Sequence, residues 1–152
     1  MAVVHLYTDG AAKGNPGPGG YGAILQWGPH EKELSGGFKH TTNNRMELLA
    51  VIVGLEALTR EGLEVEVISD SKYVVDSVEK GWLFNWAKKG YKKNPDLWKR
   101  LLPLLKKHKV KFKWIKGHNN HPQNERCDRL AVAAAEMRSQ LKDDVGYNPN
   151  DL

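Results

Sequence analysis

Three segments rich in β-branched and aromatic residues open the chain: VVHLYTD (Val3–Asp9), GYGAILQWG (Gly20–Gly28) and KELSGGFKH (Lys32–His40), separated only by glycine- and proline-bearing punctuation. A parallel pairing needs a crossover of a dozen or more residues, so strands joined this closely pair antiparallel, as a meander. Such a sheet must bury a face, and the rest of the chain has to supply the cover.

The cover follows at once. Leu48, Val51, Ile52, Leu55 and Leu58 recur at three- and four-residue spacing, which predicts a helix from about Asn44 to Arg60 with one core-facing stripe. LEVEVISD returns to strand patterning, and SKYVVDSVEKGW reads as a short helix. FNWAKKGYKKN reads as a polar, basic helix or loop, and PDLWKRLLPLLKKH as a helix opened by Pro95 or Asp96. VKFKWIKG alternates Val110, Phe112 and Trp114 against Lys111 and Lys113, a strand with one basic face. A last helix carries Cys127, Leu130, Ala134, Met137 and Leu141 on one side. KDDVGYNPNDL, residues 142–152, is a polar tail expected to be poorly ordered. Strands first, then alternating helix and strand, predict an α/β (or α+β) domain around one mixed sheet, and 152 residues suit one domain.

Net charge is +5, and its distribution matters more than its sum. From Lys88 to Lys116 there are twelve lysines and arginines against one acid, Asp96, a block suited to a polyanion. The lone cysteine excludes an internal disulfide, and no stretch is apolar enough for a membrane span or a signal-peptide core. A soluble monomer in the cytoplasm is the expectation.

Four acids fall at element ends. Asp9 closes the first strand segment and Asp70 the fourth, at the strand edge where open α/β sheets bind ligands. Glu47 falls in the first turn of the long helix and Asp128 near the start of the last one. Each has a plain structural alternative. Asp9-Gly10 could start a turn, Asp70-Ser71 could be a cap, Asn44 to Glu47 fits a capping box, and Asp128 or Glu125 would favour a helix dipole. Those alternatives do not account for hard oxygen ligands in a chain that also carries a polyanion-binding block. Crowded carboxylates favour raised pKa values or bound cations, and Mg²⁺ or Mn²⁺ bridging a phosphate points to phosphoryl transfer.

Two other motifs carry less. The glycine-rich stretch from Gly10 to Gly22 lacks the Gly-Lys-Ser/Thr ending of a nucleotide-binding loop and is too proline-rich to open a helix. His118, His121 and Cys127 could be misread as zinc ligands, but one cysteine without a second close pair does not make a closed zinc site.

In this order and at this spacing, YTDGAAKGNPGPGGYGAIL, TTNNRMEL, ISDSKYV, DLWKRL and KGHNNHPQNERCDRLA resemble ribonuclease H type 1 of the bacterial kind, over Val3 to about Leu141. The resemblance implies a ribonuclease H-like fold, a five-stranded mixed sheet flanked by helices, with residues 1–141 as catalytic domain and a basic protrusion at about 82–93. It implies an endonuclease that cleaves the RNA strand of an RNA/DNA hybrid and leaves 5′-phosphate and 3′-hydroxyl ends. Asp9, Glu47, Asp70 and Asp128 match the four carboxylates that hold two Mg²⁺ ions, with Mn²⁺ a possible substitute. His118 matches a loop histidine that assists proton transfer or product release, while His121 in the same loop reads as structural.

By the same match, Gly10, Ala12, Asn15, Asn43 and Lys72 line the groove beside the RNA strand, where 2′-hydroxyls distinguish RNA from DNA. Thr42, Asn44, Trp82 and Asn94 face the DNA strand, and Lys88 and Lys89 in the protrusion grip phosphates. The plain alternative for the protrusion is a solvated basic helix with core tryptophans. Lys72 stands where a glutamine is common, His40 where an arginine often supports the phosphate pocket, and Tyr91–Asn94 is short. These departures bear on affinity rather than on the reaction. The rival readings are a resolvase- or integrase-like DNA nuclease on the same fold, and a non-catalytic nucleic-acid-binding module, whose mark would be a missing carboxylate.

Overall fold

The computed structural model describes residues 3–117 and 121–149. Strand β1 (Val4–Ala12), β2 (Gly17–Trp27) and β3 (His30–Thr41) form the antiparallel meander, with a two-residue turn at Gly28-Pro29 whose glycine has φ +56°. Helix α1 (Asn43–Glu56) crosses over to β4 (Glu64–Ser69), which pairs parallel with β1. Helices α2 (Lys72–Glu79), α3 (Trp82–Lys89) and α4 (Pro95–Lys107) lead to β5 (Lys109–Trp114), parallel to β4, and α5 (Pro122–Glu136) closes the fold. The sheet order is β3-β2-β1-β4-β5, the five-stranded mixed sheet that the family resemblance implies.

Helix α1 differs from the amphipathic helix predicted. It stops at Glu56, and Arg45 to Ile52, Gly54 and Leu55 are all buried, because the sheet lies on one side and α4 packs against another. A helix covered on nearly all sides has no exposed polar face to keep. Its core partners include Leu6 and Leu25 from the sheet and Trp98 and Leu101 from α4.

On the opposite side of the sheet α5 lies against β1, β2 and β3. It approaches closely because Gly20 and Gly22 share one face of β2. A Cβ at Gly22 would collide with the Cys127 carbonyl, and one at Gly20 with that of Ala131. The apolar stripe predicted for α5 ends early: the helix stops at Glu136, Met137 is exposed, and a 3₁₀ turn (Arg138–Gln140) follows.

Residues 142–149 correct the expectation of a poorly ordered tail. Lys142 exchanges backbone hydrogen bonds with the edge of β3, donating to Gly37 (3.1 Å) and accepting from Lys39 (2.8 Å). Tyr147 meets the His40 ring edge-on at 5.0 Å. Asp144 reaches Arg45, a residue only 1% exposed, accepting from Nε at 2.7 Å and Nη2 at 2.9 Å. Asp96 at the start of α4 takes the other side of the guanidinium, at 2.9 and 2.6 Å. Burial works against the Arg45 charge, and these two carboxylates more than restore it. One buried cation thus ties together the starts of α1 and α4 and the C-terminal segment.

Candidate active site

The structure gives each structural job that competed for the four acids to another residue. Helix α1 is capped by Thr42, whose hydroxyl accepts from Arg45 N at 3.2 Å, and α2 by Ser71, which accepts from Val74 N at 3.3 Å. Glu47 and Asp70 therefore cap nothing. Asp9 starts no turn, since β1 continues to Ala12. Asp128 lies in the second turn of α5, and Glu125 is the acid of its first turn.

Freed of those jobs, the acids converge. One carboxylate oxygen from each of Asp9, Glu47 and Asp70 lies within 4.8 Å of the others. The Gly10 N–H donates to both Asp9 Oδ1 (2.9 Å) and Glu47 Oε1. A Cβ at Gly10 would collide with the backbone of Met46 and Glu47, so glycine here is what lets the start of α1 come down onto β1. Asp128 joins from α5. It lines, with Asp9 and Asp70, both a small cavity of about 30 Å³ bounded also by His121 and Asn124 and an open groove of about 410 Å³ bounded also by Asn43 and Lys72.

Burial makes this cluster costly. Glu47 is 7% exposed, and burial, then its hydrogen bond with Asp9, hold its pKa well above the usual carboxylate range. Asp9 is raised to about 6, first by burial, with a hydrogen bond from Glu47 working the other way and Asp70 adding repulsion. Among the described residues no ion pair reaches Asp9, Glu47 or Asp70. Crowded hard oxygens without a protein cation are a donor set suited to a divalent ion such as Mg²⁺ or Mn²⁺.

The expected substrate contacts fall into two groups. Around the groove, Ala12 N donates to Asn43 Oδ1 at 2.6 Å and Asn43 N to Asn15 Oδ1 at 2.9 Å, which laces the β1–β2 turn to the start of α1. Gly10, Asn43, Asn44 and Lys72 line the groove itself. Thr42 and Asn94 are buried. Thr42 is the α1 cap, and Asn94 donates to the Tyr73 hydroxyl at 3.0 Å and accepts from Arg45 at 3.3 Å. Trp82, by contrast, is 45% exposed at the head of α3, with Lys80 over its ring at 5.5 Å. Lys88 and Lys89 are exposed in the last turn of α3, while Trp86 packs inward on Trp98 at 5.6 Å. The protrusion is therefore basic outside with one core tryptophan and one surface tryptophan.

His118 lies outside the described residues. His121 precedes α5 with its ring 5.5 Å from that of Tyr7, and it lines the small cavity. Cys127 is buried, donates to the Tyr7 carbonyl at 3.3 Å, and has its thiol pKa pushed up by burial and by Asp9, the opposite of an activated nucleophile or metal ligand. Two neighbours of the site went unread in the sequence. Trp114 donates its indole N–H to the Asp70 carbonyl at 3.0 Å and carries Lys72 over its ring at 4.7 Å. Asn124, one turn before Asp128 on α5, reaches the strands beneath the acids. The spacing of Asn124 and Asp128 was the available signal; nothing local marked Trp114.

The family model described as RNase H matches residues 1–136. A ribonuclease H of Desulforamulus reducens is 57% identical over 144 residues, 90% of each chain. Among solved structures, LC9-RNase H1, a type 1 RNase H, superposes with a TM-score of 0.80 at 30% identity, covering 92% of this chain and 74% of that one. LC11-RNase H1, solved in complex with an RNA/DNA hybrid, superposes with a TM-score of 0.68 at 28% identity, covering 90% and 99%. Fold likeness and sequence likeness over nearly the whole chain agree, and the chain belongs to the RNase H family.

Proposed function

We propose that this ribonuclease H hydrolyses the RNA strand of RNA/DNA hybrids through two Mg²⁺ ions, leaving 5′-phosphate and 3′-hydroxyl ends. The reading is supported by three carboxylates within 4.8 Å of one another, in no ion pair among the described residues and lining an open groove. Asp9, Glu47, Asp70 and Asp128 would hold the ions. When bound, such ions acidify an attacking water and stabilise the leaving 3′-oxygen.

The chain's own residues do the rest. Gly10, Ala12, Asn15, Asn43 and Lys72 meet the RNA strand, with the Gly10 N–H fixing Asp9 and Glu47 against each other. Asn44 and Trp82 meet the DNA strand from exposed positions, while buried Thr42 caps α1 and buried Asn94 bonds Tyr73 and Arg45. Lys88 and Lys89 hold phosphates, and His118 moves protons or frees product. Residues 1–141 form the catalytic unit, working as a monomer. A cytoplasmic setting fits the single cysteine, and no helix among the described residues is long and apolar enough to cross a membrane.

Labelled RNA/DNA, RNA/RNA and DNA/DNA duplexes, offered with Mg²⁺ or with chelator, test the reading. Cutting of the RNA strand of the hybrid only, and only with metal, is expected. Cleavage of DNA/DNA, or of hybrid in chelator, overturns it.

A further inference from the structure

We propose that Asn124 is a positioning residue: its side-chain amide clamps β1 to β4 at the point where these strands part, and so sets the separation of Asp9 and Asp70. The parallel ladder between the two strands ends at the pair Tyr7–Ile68. Just beyond it, Asn124 Nδ2 donates to the Thr8 carbonyl and to the Ile68 carbonyl, each at 3.3 Å. Thr8 directly precedes Asp9, and Ile68 lies two residues before Asp70. An amide nitrogen has two hydrogens, one for each strand. The flipped amide would set its oxygen against two carbonyl oxygens, so the chemistry fixes the orientation.

A clamp kept for stability alone would satisfy its whole side chain. Here Asn124 Oδ1 is enclosed and, among the described residues, has no hydrogen-bond partner, a cost that the two donated bonds have to offset. Asn124 lines the 30 Å³ cavity with Asp9, Asp70 and Asp128, and it stands four residues before Asp128 on the same face of α5. One helix face therefore delivers a carboxylate and also holds the two strands that carry two others. Residues that orient ligands in this way typically matter 10- to 100-fold for metal affinity or turnover.

This inference rests on the metal-dependent reading above, and the test separates the two. Mn²⁺ affinity of the substrate-free enzyme is measured by calorimetry for wild type, Asn124→Ala and Asn124→Ser, beside kcat and KM on hybrid and the melting temperature in chelator. The serine hydroxyl can donate one bond at most. The expected order of affinity and kcat is wild type, then N124S, then N124A, with a total loss of roughly 10- to 100-fold and KM unchanged within about twofold. Leu101→Ala in α4, which lines neither cavity, controls for lost stability. It lowers the melting temperature and leaves Mn²⁺ affinity intact. The clamp is overturned if both Asn124 variants bind Mn²⁺ like wild type, or if L101A at matched stability loses as much affinity. If N124A does not fold, N124S against wild type decides by the same criteria. Absence of Mn²⁺ binding by the wild type would overturn the metal-dependent reading, and the clamp with it.

Discussion

Arg45 and Glu47 stand two residues apart at the start of α1, both buried, and each belongs to an acidic cluster, but the two clusters are completed in opposite ways. Around Arg45 the protein supplies the countercharge: one guanidinium takes two hydrogen bonds each to Asp96 and Asp144. Around Glu47, among the described residues, the contacts are with other acids and one backbone N–H. The first cluster is closed and holds the fold together. The second is left uncompensated: burial first, and repulsion between the acids after it, raise the pKa values of Asp9 and Glu47. The difference sets a structural use of buried charge beside the candidate metal site within a single helical turn.

The largest effect expected from breaking this contrast is at Asp9. Asp9→Asn lowers hybrid cleavage by about 10³-fold or more, the scale of losing a preorganised electrostatic group. In chelator the same variant melts higher than wild type, because a repulsive charge is gone while a carbonyl can still accept from Gly10. A melting temperature that falls along with activity would mean that Asp9 is structural. Removing the countercharge of the closed cluster does the reverse. Arg45→Met costs about 3 kcal/mol in urea denaturation, since Asp144 and Asp96 lose their partner, and leaves Mn²⁺ affinity nearly unchanged. An equal loss of metal affinity would show that the clusters act as one.

The pH dependence sharpens the same contrast. The Asp9 pKa is raised to about 6 from an ordinary value of 3.8, so the metal-free fold binds its proton more tightly than the unfolded chain does. Asp9 therefore contributes stability below about pH 4 that is lost as pH rises through about 6. Metal binding runs the other way, since it needs the deprotonated carboxylate. Affinity should weaken as pH falls through 6, with proton release on binding seen by calorimetry in buffers of different ionisation enthalpy. Affinity flat from pH 5 to 7 would remove Asp9 from the ligand set. The smallest effect is at the protrusion. Lys88→Ala with Lys89→Ala weakens hybrid binding and flattens the plot of log affinity against log salt by roughly 1 to 2, with kcat unchanged. An unchanged slope would leave these lysines as a solvated helix face.

Much of this was legible in the sequence because it is local. Alternation and short connections placed the meander, and three- and four-residue spacing placed α1, though not its outer cover by α4, which is not written in α1 itself. The four acids were legible as end-of-element residues, but not their freedom from capping, which depends on Thr42 and Ser71 taking those roles. The docked C-terminal segment was misjudged for a physical reason. Its anchor, Asp144, meets Arg45 across 99 positions, and a polar stretch shows no periodicity that betrays such a partner. Asn124 was hidden likewise, since its partners are backbone carbonyls that any sequence would offer.

The glycine stretch that follows Asp9 ends at Gly22, Asp9's own cross-strand partner, where a side-chain carbon would collide with the Cys127 carbonyl of α5. A single omitted carbon thus works as a spacer gauge for the whole site. Alanine at that position would have to lift α5 by roughly 1 Å, and with it Asp128 and Asn124, a misplacement on the scale that costs an enzyme about 10²-fold. Catalytic precision here depends on an atom the chain leaves out as much as on the oxygens it brings in.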